Sequence, residues 1–172
     1  MSQPVVDLVI EEDGWLSALP TVADVTEQGA ALALERLPES GSGFEICVLA
    51  CNDARISQLN TEFRGKPRAT NVLSWPAFDL APSAPGEIPA LPPKSTRPDA
   101  PVFLGDVAIA LETVQREAIA ASKPLKNHVL HLILHGSLHL LGYDHETPED
   151  AGRMEGIESQ CLTALGLPDP YE

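Results

Sequence analysis

Residues 135–145 read His135-Gly136-Ser137-Leu138-His139-Leu140-Leu141-Gly142-Tyr143-Asp144-His145, and the rest of the chain can be read outward from them. His135 and His139 stand four positions apart, so on a helix their imidazoles leave the same face one turn apart. Gly142 stops that helix, because glycine accepts the left-handed backbone of a sharp C-terminal turn. The chain then doubles back and delivers His145 from a third direction. Three imidazole nitrogens on one side of a zinc ion leave a coordination position open, as a catalytic site requires. The spacing therefore predicts one metal ion per chain, with His135, His139 and His145 as its ligands; imidazoles suit several transition metals, and Zn²⁺ is the ion expected here.

The same spacing occurs in the long zinc-protease motif H-E-x-x-H-x-x-G-x-x-H, with one difference that changes the chemistry. There a glutamate follows the first histidine and serves as general base; here that position is Gly136, which has no group to accept a proton. A lone histidine on an apolar helix face is usually an ordinary core or surface residue. Three at this spacing, with a helix-stopping glycine before the third, are hard to explain by packing. His128 and His131 lie on the same helix and are not counted as ligands; His131, one turn before His135, either supports a ligand from behind or is an ordinary buried or capping histidine, and the second reading is preferred.

The histidine-bearing helix is predicted over 124–141, with Pro124 in its first turn and Leu125, Val129, Leu132 and Ile133 making it largely buried. Thr147-Pro148-Glu149-Asp150 opens a last helix with an apolar stripe of Met154, Ile157, Cys161, Leu162 and Leu165, ended by Gly166 and Pro168. Upstream, 4–10, 44–51, a segment around 71–75, and 102–109 read as strands rich in branched side chains. Helices are expected over about 21–36 and 111–121. A shorter one, capped by Asn52 or Asp53, is expected to carry Ile56, Leu59 and Phe63 on one face. Seven prolines between Pro82 and Pro101 exclude regular structure there, so 78–101 reads as a surface excursion inside the domain. The expected fold is α+β: a single domain over 1–172, with a small mixed sheet of about four strands packed with five or so helices. The metal site falls on a buried helix and the turn after it.

A chain of 172 residues suits one compact domain, and 44% hydrophobic with 21% charged residues describes a globular protein. No apolar run approaches a membrane span and the start lacks a basic leader, so the expected compartment is the cytoplasm, with no membrane partner. Cys47, Cys51 and Cys161 form no C-x-x-C pair and read as small apolar residues. The net charge of −14 argues, alone, against a nucleic-acid partner. Against that trend, Arg64, Lys66 and Arg68 alternate in one short segment and can form a local positive patch.

Taken together, three blocks resemble the bacterial YbeY family of rRNA-maturation endoribonucleases. Residues 135–145 match its H-G-x-L-H-L-x-G-Y-D-H signature at every specified position. Leu59-Asn60, Phe63-Arg64, Lys66 and Thr70-Asn71-Val72-Leu73-Ser74-Trp75-Pro76 follow L-N-x-x-F-R-x-K-x-x-P-T-D-V-L-S-F-P. Leu104-Gly105-Asp106-Val107 follows L-G-D-[IV]. Three positions depart from the pattern: Ala69 stands for the usual proline, Asn71 for aspartate and Trp75 for phenylalanine. The Asn71 departure removes a carboxylate, so no acid–base work is assigned there.

The resemblance implies a zinc-dependent endoribonuclease that prefers single strands. It implies work on the 3′ end of small-subunit rRNA and in ribosome quality control, in contact with the small ribosomal subunit and its assembly factors. No small-molecule cofactor is implied. Zinc held by neutral imidazoles lowers the pKa of water to about 7, which makes the missing glutamate tolerable. Arg64 matches the arginine on which the family relies, and a guanidinium can grip a phosphate through two parallel hydrogen bonds. Ser74 and Asp106 read as structural hydrogen-bonding residues at strand ends, while Asp144 either orients a ligand imidazole or caps the turn. Two other classes share the histidine pattern: a different zinc hydrolase, such as a metallopeptidase, and a non-catalytic ribosome assembly factor stapled by zinc.

Overall fold

The computed structural model describes residues 3–97 and 99–172. Four strands, β1 (Val5–Ile10), β2 (Phe44–Cys51), β3 (Val72–Pro76) and β4 (Val102–Ala110), form one sheet in the order β1-β2-β4-β3. β1 and β4 run parallel to the central β2, and β3 closes the far edge antiparallel to β4. Six helices pack with it: α1 (Gly14–Ala18), α2 (Val22–Leu34), α3 (Asp53–Arg64), α4 (Leu111–Ala120), α5 (Leu125–Leu140) and α6 (Pro148–Ala164). The α+β class and the four-stranded mixed sheet are those the sequence predicts.

The period of two along each strand sorts the side chains. Ile46, Val48, Ala50, Val107 and Ile109 turn to one face and enter the main core with α2 and α5. On the other face Ile56 and Leu59 of α3 cover Cys51, Leu73, Ala108 and Ala110. Phe63 follows on the same face of α3 but is exposed, and it meets Trp75 edge-on with ring centroids 5.6 Å apart. Gly105 makes a bulge in β4 at a φ of 140°, and a Cβ there would lie 2.3 Å from the Trp75 carbonyl. Only glycine fits that crossing.

α1 has no counterpart in the predicted elements. Its five residues are too short to show a period, yet Trp15 is fully buried and donates its indole N–H to the Cys51 carbonyl at 2.8 Å. Pro124 stands just before α5 and not in its first turn. Two caps follow the sequence: Asn52 Oδ1 accepts the Arg55 N–H, and Thr147 Oγ1 accepts the Asp150 N–H. Cys47, Cys51 and Cys161 are free thiols. Among the described residues no helix is long and apolar enough to cross a membrane.

A row across the sheet positions the site. Leu8 lies opposite Val48, Val48 opposite Val107, and Val107 opposite Ser74. The Ser74 hydroxyl then donates to the Gly136 carbonyl at 3.0 Å, tying α5 to β3. Between β3 and β4 the proline-rich segment forms no helix or strand among its described residues. It is pinned nonetheless. The Ala77 N–H reaches the Leu104 carbonyl, the buried Leu80 accepts from the Ala90 N–H, and Gly86 bridges Asp150 and Arg153 of α6 at 2.8 Å each.

Candidate metal centre and cleft

α5 carries His135 and His139 on one face, with their Nε2 atoms 3.1 Å apart. The helix ends through Tyr143 N–H donating to the Leu138 carbonyl, with Gly142 at a φ of +94°. Glycine is needed at 142 for a second reason, because a Cβ would come within 2.6 Å of the Leu80 carbonyl. The turn returns His145, whose ring centroid lies 5.3 Å from that of His135 and 5.1 Å from that of His139. One ligand atom from each of the three imidazoles can be chosen so that all lie within 4.8 Å of one another.

Hydrogen bonds fix the tautomers of the first two. His135 Nδ1–H donates to Glu158 Oε1 at 2.8 Å, and His139 Nδ1–H donates to the Tyr143 carbonyl at 2.9 Å. With both Nδ1 hydrogens so engaged, the two Nε2 lone pairs face each other across 3.1 Å. Two lone pairs at that distance repel unless a cation lies against both, so the donor set fits a metal ion. Burial pushes the His139 pKa down to about 4, and the neighbouring His135 adds to the shift. The imidazole is therefore neutral at pH 7, the form that binds metal.

Acid affects two groups here, in the same direction. His139 has a folded pKa below its ordinary 6.5, so the unfolded chain binds more protons between about 6.5 and 4. Stability is lost through that window as pH falls. Burial alone would raise the Glu158 carboxyl, but hydrogen bonds from His131 and His135 outweigh it and hold the pKa at about 2. Its contribution is present above the ordinary 4.5 and disappears toward pH 2. Melting temperatures of the metal-free protein are expected to fall from pH 7 to pH 4 and again below. A flat profile between pH 7 and 4 would contradict the His139 assignment.

A cleft of about 1040 Å³ opens over the histidines. Its lining includes Arg64, Thr70, Asn71 and Ser74, together with Ala77 and residues 78–85 of the proline-rich segment. Arg64 is the last residue of α3, aimed by the left-handed Gly65 cap that follows it. Among the described residues no carboxylate pairs with Arg64. Lys66 and Arg68 are exposed and do not line this cleft, so the basic segment places one cation there, not three.

The other candidates divide. Ser74 lies at the cleft with its hydroxyl committed to Gly136. Asp106 is exposed and lies outside the cleft lining. Asp144 Oδ1 accepts the His145 N–H at 2.8 Å and stands 3.9 Å from His139 Nδ1, so it caps the turn. Asn71 donates to both oxygens of Glu117, at 3.2 and 3.1 Å. An aspartate there would set two carboxylates against each other, which accounts for the departure at this position. His128 is bonded to Glu117 and His131 to Glu158, neither in the triad.

Two features of the site were not read from the sequence. Glu158 is fully buried behind His135; an acidic residue inside the stripe of Met154, Ile157, Cys161 and Leu162 was the available signal. The second is the wall at 77–85, whose composition shows no period.

Comparison with known proteins extends over nearly the whole chain. The family described as Endoribonuclease YbeY matches residues 18–166. A protein of that name from Ruegeria pomeroyi is 52% identical over 167 residues, covering 96% of both chains. Another from Dinoroseobacter shibae is 49% identical over 170 residues, covering 97% of this chain and 90% of its own. In fold, the solution structure of TM1509 from Thermotoga maritima matches with a TM-score of 0.51 at 17% identity, covering 98% of this chain and 99% of that one. At such identity over such length, and with the histidine turn and the Arg64 segment in one cleft, the chain belongs to the Endoribonuclease YbeY family.

Proposed function

We propose that this protein is a zinc-dependent endoribonuclease of rRNA processing that cuts single-stranded RNA, with His135, His139 and His145 as metal ligands and Arg64 as the catalytic residue that grips the phosphate. The observation that carries this is the shared cleft: an unpaired guanidinium faces the same space as three convergent imidazoles. A divalent ion, when bound there, supplies Lewis acidity toward a phosphoryl oxygen and lowers the pKa of water. Arg64 supplies two parallel donors for the non-bridging oxygens and stabilises the charge that grows on them. The Tyr143 carbonyl and Glu158 keep the Nε2 atoms of His139 and His135 turned to the cleft.

The family resemblance extends the proposal to the 3′ end of small-subunit rRNA, to ribosome quality control, and to the small ribosomal subunit as partner. The setting is the cytoplasm, and the whole of 1–172 acts as one metallohydrolase domain with 78–101 as its excursion. The net charge of −14 fits a protein guided to its substrate by a ribosomal partner, without strong RNA affinity of its own. Gly136 weighs against a peptidase: it offers no base, and a Cβ there would crowd Val107, Ser74 and Val72 of the sheet.

Incubating the purified protein with single-stranded RNA, duplex RNA and casein, with and without a chelator, tests the proposal. Cleavage of the single strand alone, abolished by chelation and restored by Zn²⁺, is expected. Chelator-sensitive casein cleavage with intact RNA would move the protein to the peptidase class. No cleavage of any substrate, with zinc bound by four protein ligands, would make the metal a staple.

A further inference from the structure

Among the described residues Glu158 is the one buried acidic or basic side chain. An ionised carboxylate without water is costly unless its oxygens are filled by donors. Three donors fill them. His135 Nδ1–H takes Oε1 at 2.8 Å, while His131 Nε2–H and the Tyr171 hydroxyl both reach Oε2 at 2.5 Å. His131 and His135 come from α5, Glu158 from α6, and Tyr171 from the segment that follows α6.

That segment is folded back by a small set of contacts. Gly166 turns it at a φ of +80°, and Asp169 Oδ1 accepts the Ser159 hydroxyl at 2.8 Å and the Tyr171 N–H at 2.9 Å. Tyr171 is about half exposed, with its ring edge-on to His131 and only its hydroxyl inserted. Leu167 packs against the main core, whereas Tyr171 beyond it is half exposed, so the hydroxyl contact lies at the least covered end of the segment.

The two oxygens have different work. Oε1 holds the His135 tautomer and turns its Nε2 toward His139; Oε2, held by His131 and Tyr171, fixes the rotation of the carboxylate that makes this possible. A carboxylate behind a ligand imidazole also raises its basicity. We propose that Glu158 and Tyr171 form a positioning latch, through which docking of the segment after α6 sets how tightly the histidine centre holds its cation. The latch rests on His135, His139 and His145 being metal ligands.

The test titrates Zn²⁺ against a chromogenic chelator in the wild type and in Tyr171→Phe and Glu158→Gln variants of the intact chain. Melting temperatures of the metal-free samples are measured in parallel. Glu158→Gln is expected to weaken Zn²⁺ binding by about 10- to 100-fold. Tyr171→Phe keeps the ring and is expected to weaken binding by a smaller factor, with little change in metal-free melting temperature. If the wild type binds Zn²⁺ and Tyr171→Phe binds it equally tightly, the latch is overturned, and Glu158 only ties α5 to α6. Should Glu158→Gln fail to fold, Tyr171→Phe decides alone. If the wild type binds no Zn²⁺, the metal centre itself fails and the latch falls with it.

Discussion

Replacing Gly136 with glutamate, which would write the protease sequence His-Glu-x-x-His into α5, is expected to destabilise the fold severely without creating a peptidase. The position is buried against the sheet, and an added Cβ would stand 2.8 Å from Val107 Cγ1, 3.1 Å from Ser74 Oγ and 3.2 Å from Val72 Cγ2. Overpacking of this kind costs about 1–3 kcal/mol. A carboxylate carried into the same space, where the Ser74 hydroxyl is already committed to the Gly136 carbonyl, adds roughly several kcal/mol more. A domain of this size has about 5–15 kcal/mol in total, so the sum removes most of it. Gly136→Ala is the milder control: it meets the same contacts but recovers about 1 kcal/mol of helix propensity. Soluble yield, circular dichroism and thermal melts decide the matter. A folded Gly136→Glu protein that cleaves peptides would show that position 136 faces the cleft after all.

The second large effect separates holding the cation from performing the chemistry. Arg64→Ala is expected to lower RNA cleavage by about 10²–10³-fold, the usual loss when one aimed donor is removed from a developing negative charge. Stability should move by no more than about 0.5 kcal/mol, because Arg64 is exposed at the end of α3 and has no partner to leave behind among the described residues. Zinc content should stay at one ion per chain. Arg64→Lys is expected to recover only part of the rate, since an ammonium cannot present two parallel donors to two oxygens. Competition by salt should weaken the wild type more than Arg64→Ala if the guanidinium contacts a phosphate. An Arg64→Ala enzyme cutting at the wild-type rate would remove this residue from the chemistry.

Local pattern makes much of this legible in the sequence. The strand at 44–51 and the helix over the histidines are bounded by residues whose conformational preferences are strong: Gly43, Asn52, Pro124 and Gly142. The spacing of His135, His139 and His145 needs only helix geometry and one left-handed turn, and the structure brings the three imidazoles together. What escaped depends on contacts between distant segments. Trp15 is buried because Cys51, far along the chain, offers a carbonyl to its indole. Glu158 is tolerated in a core because α5 and the segment after α6 bring donors to it. The course of 77–86 along the cleft is held by Gly142 against Leu80 and by Asp150 and Arg153 at Gly86, none of which is near it in sequence. Gly136 shows both limits: its identity excludes a protease base, while the reason for glycine appears only once Ser74 and Val107 stand beside it.

The most direct measurement is zinc content and single-stranded RNA cleavage on the same preparations of wild type and His139→Ala. The wild type should hold one zinc and cut, and His139→Ala should lose both together while keeping its fold. Cleavage that persists in zinc-free His139→Ala would contradict a metal-centred nuclease.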